Sequence, residues 1–129
     1  MNNKLLLVVT LTIVSASLSN FSPAVRVVMA NGTIYVRADG SIDPPTAPIS
    51  TADNITYVFI GDFSDSIVIE RDNILVDGAG FKVQGNGTGK GISLTQRTNV
   101  TIKNATIKDF TYGIWLNQSA NNRILETCK

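Results

Sequence analysis

Residues Asn99 to Leu116 read NVTIKNATIKDFTYGIWL. The stretch holds three apolar alternations, Val100/Ile102, Ala105/Ile107 and Ile114/Leu116. Each is about three residues long, and Asn, Asp or Gly ends it. Ordinary strands run to roughly five or six residues. Strands this short, bordered again and again by Asn, need a fold that turns a corner every few residues.

Working outward, the pattern repeats at a fixed distance. Gly113-Ile114-Trp115-Leu116 follows Gly91-Ile92-Ser93-Leu94 at a separation of 22, and Asn121-Asn122-Arg123-Ile124 follows Asn99-Val100-Thr101-Ile102 at the same separation. Earlier, Asn73-Ile74-Leu75-Val76 matches Asn99-Val100-Thr101-Ile102 at a separation of 26. The extra residues fall in the Gly-rich loop Gly85 to Gly91. Ile67-Val68-Ile69 takes the place of Ile92-Ser93-Leu94 one step further back. No segment offers a helical period over ten residues.

A period near 22 with short strands in each period is the signature of a β-solenoid. The expected fold is all-β, a right-handed parallel β-helix with turns of about 22 residues and an irregular N-terminal lead-in. Each strand would pair in parallel with its counterpart one turn on, about 4.8 Å away. Alternate residues would stack inward as aliphatic columns, Val76/Ile102/Ile124 in one and Leu94/Leu116 in another. Asn73, Asn99 and Asn121 would stand at equivalent corners, because Asn tolerates left-handed backbone, and stacked amides can bond in a ladder. Gly91 and Gly113 are expected at corners with positive φ.

Upstream of these turns, Thr33 to Arg37 and Ile55 to Ile60 read as strands. Between them, Ser41 to Asp53 carries Pro44, Pro45 and Pro48 and reads as an irregular loop. Residues 1–30 read as a signal peptide. Met1 to Lys4 is weakly positive, Leu5 to Leu18 is apolar, and Val28-Met29-Ala30 offers a cleavage site after Ala30, with Val14-Ser15-Ala16 as a second candidate. The apolar run falls short of the roughly 20 residues a membrane span needs. The expected organisation is a signal peptide over 1–30, lead-in strands over 31–65 and solenoid turns over 66–129. Export to the extracellular space or cell surface follows from that leader.

The run from Glu70 to Asn122, ERDNILVDGAGFKVQGNGTGKGISLTQRTNVTIKNATIKDFTYGIWLNQSANN, resembles right-handed parallel β-helix proteins. More narrowly it resembles the NosD-type repeat group of exported prokaryotic, especially archaeal, proteins. The opening GTIYVRADGSIDPPTAPI is similar to the lead-in of such chains. The resemblance spans roughly Gly32 to Ile124 and specifies fold far better than activity. The group includes pectin-lyase-like enzymes, a protein linked to copper delivery and many surface proteins. The resemblance implies a scaffold or surface module, with two alternatives: a polysaccharide lyase or glycoside hydrolase, and an accessory protein for periplasmic copper insertion. The sequence stops at Lys129, just after the first strand of its third clear turn. The expectation is the N-terminal fragment of a longer protein, with missing C-terminal turns or another chain covering the open end.

Composition excludes some chemistry. The net charge of +1 gives no footprint for nucleic acid. There is no His, and the single Cys128 allows no internal disulfide. Copper favours imidazole and soft sulfur, and removal of 1–30 would take both Met1 and Met29. No cofactor or metal is therefore expected. A glycosidase needs two carboxyl groups roughly 5 to 9.5 Å apart. Asp77 aligns with Lys103, Asp72 with Thr98, and Asp109 has no acidic partner in register. An ion pair between Asp77 and Lys103 across turns is the simpler expectation. VDGAG, Val76 to Gly80, reads as a tight turn. Asp62 and Asp65 match no complete calcium loop. Gly85 to Gly91 lacks the Ser or Thr after Lys90 that a phosphate loop requires.

Two features point to carbohydrate. Trp115 is the middle residue of its triplet and should face outward, where an indole can stack on a sugar ring with Tyr112 beside it. Asn-X-Ser/Thr triplets begin at Asn31, Asn54, Asn86, Asn99, Asn104 and Asn117. Asn86, Asn54, Asn31 and Asn117 are the glycosylation candidates, with Asn86 favoured by its loop and Asn99 committed to the ladder. The expected partner is a cell-surface or extracellular polysaccharide.

Overall fold

The structure is a computed structural model, and it describes residues 32–127. The expected leader, the sequon at Asn31 and Cys128 lie outside the described residues. Among the described residues there is no helix, and none therefore that could cross a membrane.

The strands are short. They are β1 (Thr33–Val36), β2 (Ile42–Asp43), β3 (Ile49–Thr51), β4 (Thr56–Phe59), β5 (Ser66–Ile69) and β6 (Ile74–Asp77). They continue with β7 (Lys82–Gln84), β8 (Lys90–Thr95), β9 (Val100–Lys103), β10 (Thr106–Lys108), β11 (Tyr112–Asn117) and β12 (Arg123–Leu125). They form three sheets, ordered β11-β8-β5-β1-β2, β10-β7 and β12-β9-β6-β4-β3. The fold is all-β, with every strand from β5 onward pairing in parallel.

The registers match the sequence alignment. Ile114 pairs with Ile92 and Leu116 with Leu94, and Ile124 pairs with Ile102, all at the one separation that recurs in the sequence. Ile102 pairs in turn with Val76, and Ile92 with Ile67. Strands β1 and β4, inside the expected lead-in, pair in parallel with β5 and β6. The aliphatic columns therefore run back to Ile34 and Tyr57.

Burial alternates along β1, β4, β5, β6 and β9. Ile34, Ile67, Ile92, Leu94, Val76, Ile102 and Val83 are all enclosed, and the buried set among the described residues contains no polar or charged side chain. Fully enclosing one such side chain contributes roughly 1.5–3 kcal/mol. β-Branched residues suit this role, since their stiff side chains stack without losing much rotamer freedom in a strand. Phe59 and Phe63 close part of the interior edge to face, with ring centroids 5.0 Å apart. Tyr57 is buried, yet its hydroxyl donates to the Gly40 carbonyl at 2.8 Å, and burial pushes its pKa up.

The Asn corners take the backbone that the sequence predicts. Asn73, Asn99 and Asn121 have φ of 58°, 54° and 57°, and Asn54 and Asn104 share that conformation at 55° and 53°. Asn99 Nδ2 donates to Asn73 Oδ1 at 3.0 Å. In the next layer the reaching side chain is that of Asn122, whose Oδ1 accepts the Val100 amide at 2.8 Å.

Two details differ from expectation. Gly91 and Gly113 do not have positive φ; they sit inside β8 and β11. Gly91 is required by space, because a Cβ there would lie 2.6 Å from the Gly113 carbonyl oxygen and 2.7 Å from Ile107 Cγ2. The Pro-rich stretch is not wholly irregular. It supplies β2 and β3, which pair antiparallel with β1 and β4. Pro44, Pro45 and Pro48 fall between β2 and β3, so neither strand loses a ladder donor to proline.

Candidate functional site

The predicted contact residues sit on β11, the edge strand of one of the two five-stranded sheets. Trp115 lies in register with Ser93, and Ser93 with Val68, which pairs with Tyr35. This column alternates with the buried Ile34/Ile67/Ile92 column, so it faces away from the core. Trp115 is half-buried, because neighbours cover its ring. Tyr112 meets it edge to face, with centroids 4.7 Å apart at 61°. Lys90 pairs with Tyr112 across β8 and β11, and its Nζ stands 4.3 Å from the indole centroid.

The Lys90 contact could not be read from the triplets, since Lys90 precedes the repeated Gly91-Ile92-Ser93-Leu94. Its ammonium over the indole is a cation–π contact worth about 0.5–1 kcal/mol at an exposed site. A sugar that stacks on that same indole face must displace the ammonium. Tyr112 also borders an open hollow of about 450 Å³ lined by Ile107 to Ile114. Beside it the columns end half-open, with Leu116 45% and Ile124 42% exposed.

The carboxylates weighed as catalytic candidates are engaged elsewhere. Asp77 lies 3.3 Å from Lys103 Nζ, as the alignment predicts. Its Oδ1 accepts the Ala79 amide at 2.9 Å and Asn104 Nδ2 at 3.1 Å. The bond from Ala79, assisted by Asn104 and Lys103, holds its pKa below the usual carboxylate range. An acid held ionised in this way accepts hydrogen bonds but does not donate a proton at neutral pH. Asp72 accepts the Thr98 amide at 3.0 Å and faces Arg97 at 3.4 Å. Asp62 and Asp65 each accept a backbone amide, from Lys82 and from Gly32, both at 2.7 Å. Asp109 is bonded by the Gln84 amide. Each aspartate therefore ties one layer to another.

One charged cluster escaped the sequence alignment. Arg37 bonds Asp43 and also reaches Glu70 at 3.3 Å, while its guanidinium lies 4.0 Å from the Tyr35 centroid. Two carboxylates share one guanidinium here, and the bond to Asp43, with Glu70 assisting, raises the Arg37 pKa. The pairing was hidden because the offset between β1 and β5 is much longer than the later period. Among the described residues, no three His, Cys, Asp or Glu side chains gather as a metal site would require.

The Gly85 to Gly91 loop turns at Gly87 and Gly89, with φ of 93° and 74°. It leads into β8, so no helix follows it. Of the sequons, Asn86 lies in this loop, Asn54 at the corner before β4 and Asn117 at the end of β11, all exposed. Compared with protein-family models, with curated proteins and with solved structures, the chain matches none.

Proposed function

We propose that this chain forms turns of an exported, NosD-type, right-handed β-helix, its repeat set by the separation of the last two layers, serving as a non-catalytic surface scaffold that touches polysaccharide through Trp115 and Tyr112. The single observation that carries the contact is the aromatic pair on the edge strand β11, Trp115 on the outward column with Tyr112 beside it, ring centroids 4.7 Å apart. The constant register of those two layers supports the helical repeat. Apolar sequence over 5–18 supports export.

Flat strand faces suit long, repetitive ligands, since a polymer can lie along many equivalent positions. Indole and phenol rings supply apolar area for sugar C–H faces and a polar edge for hydroxyls. Asp62, Asp65, Asp72, Asp77 and Asp109 are each engaged in bonds between layers, and on the outward face Asp43 and Glu70 are taken up by Arg37.

Trp115 is the chain's single tryptophan, so its emission reports on the site without labelling. The test is a fluorescence titration of the whole chain with soluble neutral and acidic polysaccharides, alongside an assay for new reducing ends and unsaturated products. The expected result is a saturable change in emission with no cleavage. Trp115→Ala should abolish retention on an immobilised form of the same polymer. Unchanged emission with every polymer overturns the binding reading. Cleavage that persists in Trp115→Ala and disappears in Asp77→Ala replaces it with an enzyme.

A further inference from the structure

We infer that, among the described residues, Asn86 is the sequon asparagine that accepts an Asn-linked glycan. The inference rests on the export proposed above. The sequence favours Asn86 by its loop alone; the structure separates the sequons by what each side-chain amide is already doing.

Asn99 Nδ2 is committed to Asn73 Oδ1 at 3.0 Å, and Asn104 Nδ2 to Asp77 Oδ1 at 3.1 Å. A sugar on either nitrogen would force a ring into the corner where that bond between layers is made. The Asn54 side chain lies flat on Gly40, with Nδ2 only 3.4 Å from where a Cβ on that glycine would stand. At Asn117 the sequon hydroxyl is occupied: Ser119 Oγ accepts the Arg97 amide at 3.0 Å and donates toward the Leu94 carbonyl at 3.2 Å.

Asn86 differs on each point. Its Oδ1 accepts the Thr88 hydroxyl at 2.7 Å and the Thr88 amide at 3.2 Å. The sequon's own hydroxyl therefore holds the carbonyl side of the amide. Among the described residues, Nδ2 has no partner. The neighbouring Gly87 and Gly89 have open space around them, with nothing within 4 Å of where a Cβ would be. Beside the loop is a hollow of about 150 Å³ whose lining includes Thr33, Ser66, Thr88 and Phe110. Hydroxyls and one aromatic ring suit the first sugar of a glycan lying back against the sheet.

The co-reactant is a glycan carried on a polyprenyl phosphate in the membrane of the exporting cell. Asn86 Nδ2 forms a bond to the sugar C1 as the C1–O bond to phosphate breaks. The lipid phosphate leaves with that electron pair, and the amide releases one proton.

The folded, full chain is offered to membranes that contain an oligosaccharyltransferase and its lipid-linked glycan, and its peptides are then mapped by mass spectrometry. The Asn86 peptide should gain the sugar mass, and the Asn99 and Asn104 peptides should not. Asn86→Gln and Thr88→Ala should each lose that gain while keeping the wild-type circular dichroism spectrum. A bare Asn86, or sugar on Asn99 or Asn104, overturns the assignment. Fractionation of cells producing the chain reads export separately. A retained chain that is modified at Asn86 in vitro defeats export alone, and an exported chain left bare defeats the glycan assignment alone.

Discussion

Truncating Ile102 to alanine tests the stacked core at its centre. Ile102 is 1% exposed and lies between Val76, also 1% exposed, and Ile124, which is 42% exposed. Ile102→Ala removes carbons that contribute about 0.8 kcal/mol each, or roughly 2.4 kcal/mol of transfer energy. The Val76 layer cannot move up without breaking its own hydrogen bonds, so part of the space remains as a cavity. A residual cavity adds about 24 cal/mol per Å³. The expected total is about 3 kcal/mol, within the range for Ile→Ala in cores. With a urea slope near ~1.5 kcal/mol/M, the midpoint falls by about 2 M. Ile124→Ala removes the same atoms from a half-open position and should cost about 1 kcal/mol. Thr101→Ala, on the outward face of the same strand, should stay within about 0.5 kcal/mol. Urea unfolding followed by circular dichroism gives all three midpoints. The ordering is the decisive result. If Ile124→Ala or Thr101→Ala costs as much as Ile102→Ala, the columns do not stack as described and the reasoning fails.

Three further outcomes follow from the same geometry. Gly91→Ala should destabilise by about 1–3 kcal/mol through overpacking, whereas Gly113→Ala, whose Cβ would meet only Ile107 Cγ2 at 3.6 Å, should be nearly neutral; thermal melts compare the two. Asn99→Ala loses the bond to Asn73 and places a Cβ at φ 54° without a polar side chain to compensate, so it should lower stability by about 1–2 kcal/mol, and Asn99→Gly should lower it less in the same melts. Asp77 has a folded-state pKa below its unfolded value, chiefly because of the Ala79 amide. Its contribution is therefore complete above the unfolded pKa of about 3.9 and is lost as pH falls through the lower folded value; in urea midpoints measured from pH 6 downward, Asp77→Asn should flatten part of the acid-side decline.

The later layers were legible because their pattern is local and periodic. Triplets such as Ile92-Ser93-Leu94 and Ile114-Trp115-Leu116 carry both the inward alternation and the register, and Asn99 marks the corner by its backbone preference. The beginning was harder to read. The separations between pairing strands there are irregular, so no repeat linked Arg37 to Glu70 or Asp62 to Lys82. The density of proline between Pro44 and Pro48 masked β2 and β3, whose pairing is set by neighbours rather than by propensity. In the sequence Gly91 reads as a corner because glycine is usual there, while its actual constraint is a carbonyl and a methyl group from Gly113 and Ile107. Lys90 over Trp115 joins residues on adjacent strands, and nothing in either triplet encodes that contact. The face bearing the candidate site was readable, but the cation that already occupies it was not.

The two antiparallel strands give the molecule a direction. β2 and β3 occupy the last positions of their sheets on the same side, beyond β1 and β4. There the neighbouring backbone runs antiparallel, so the parallel stacking of the later layers does not continue through β2 and β3. Lengthening of the stack by further parallel layers, through gene duplication or design, would proceed past β11 and β12. There each inserted copy of the repeating unit would raise the stack by one strand spacing, about 4.8 Å. Height along the stack thus becomes a simple count of copies, measured from the antiparallel pair.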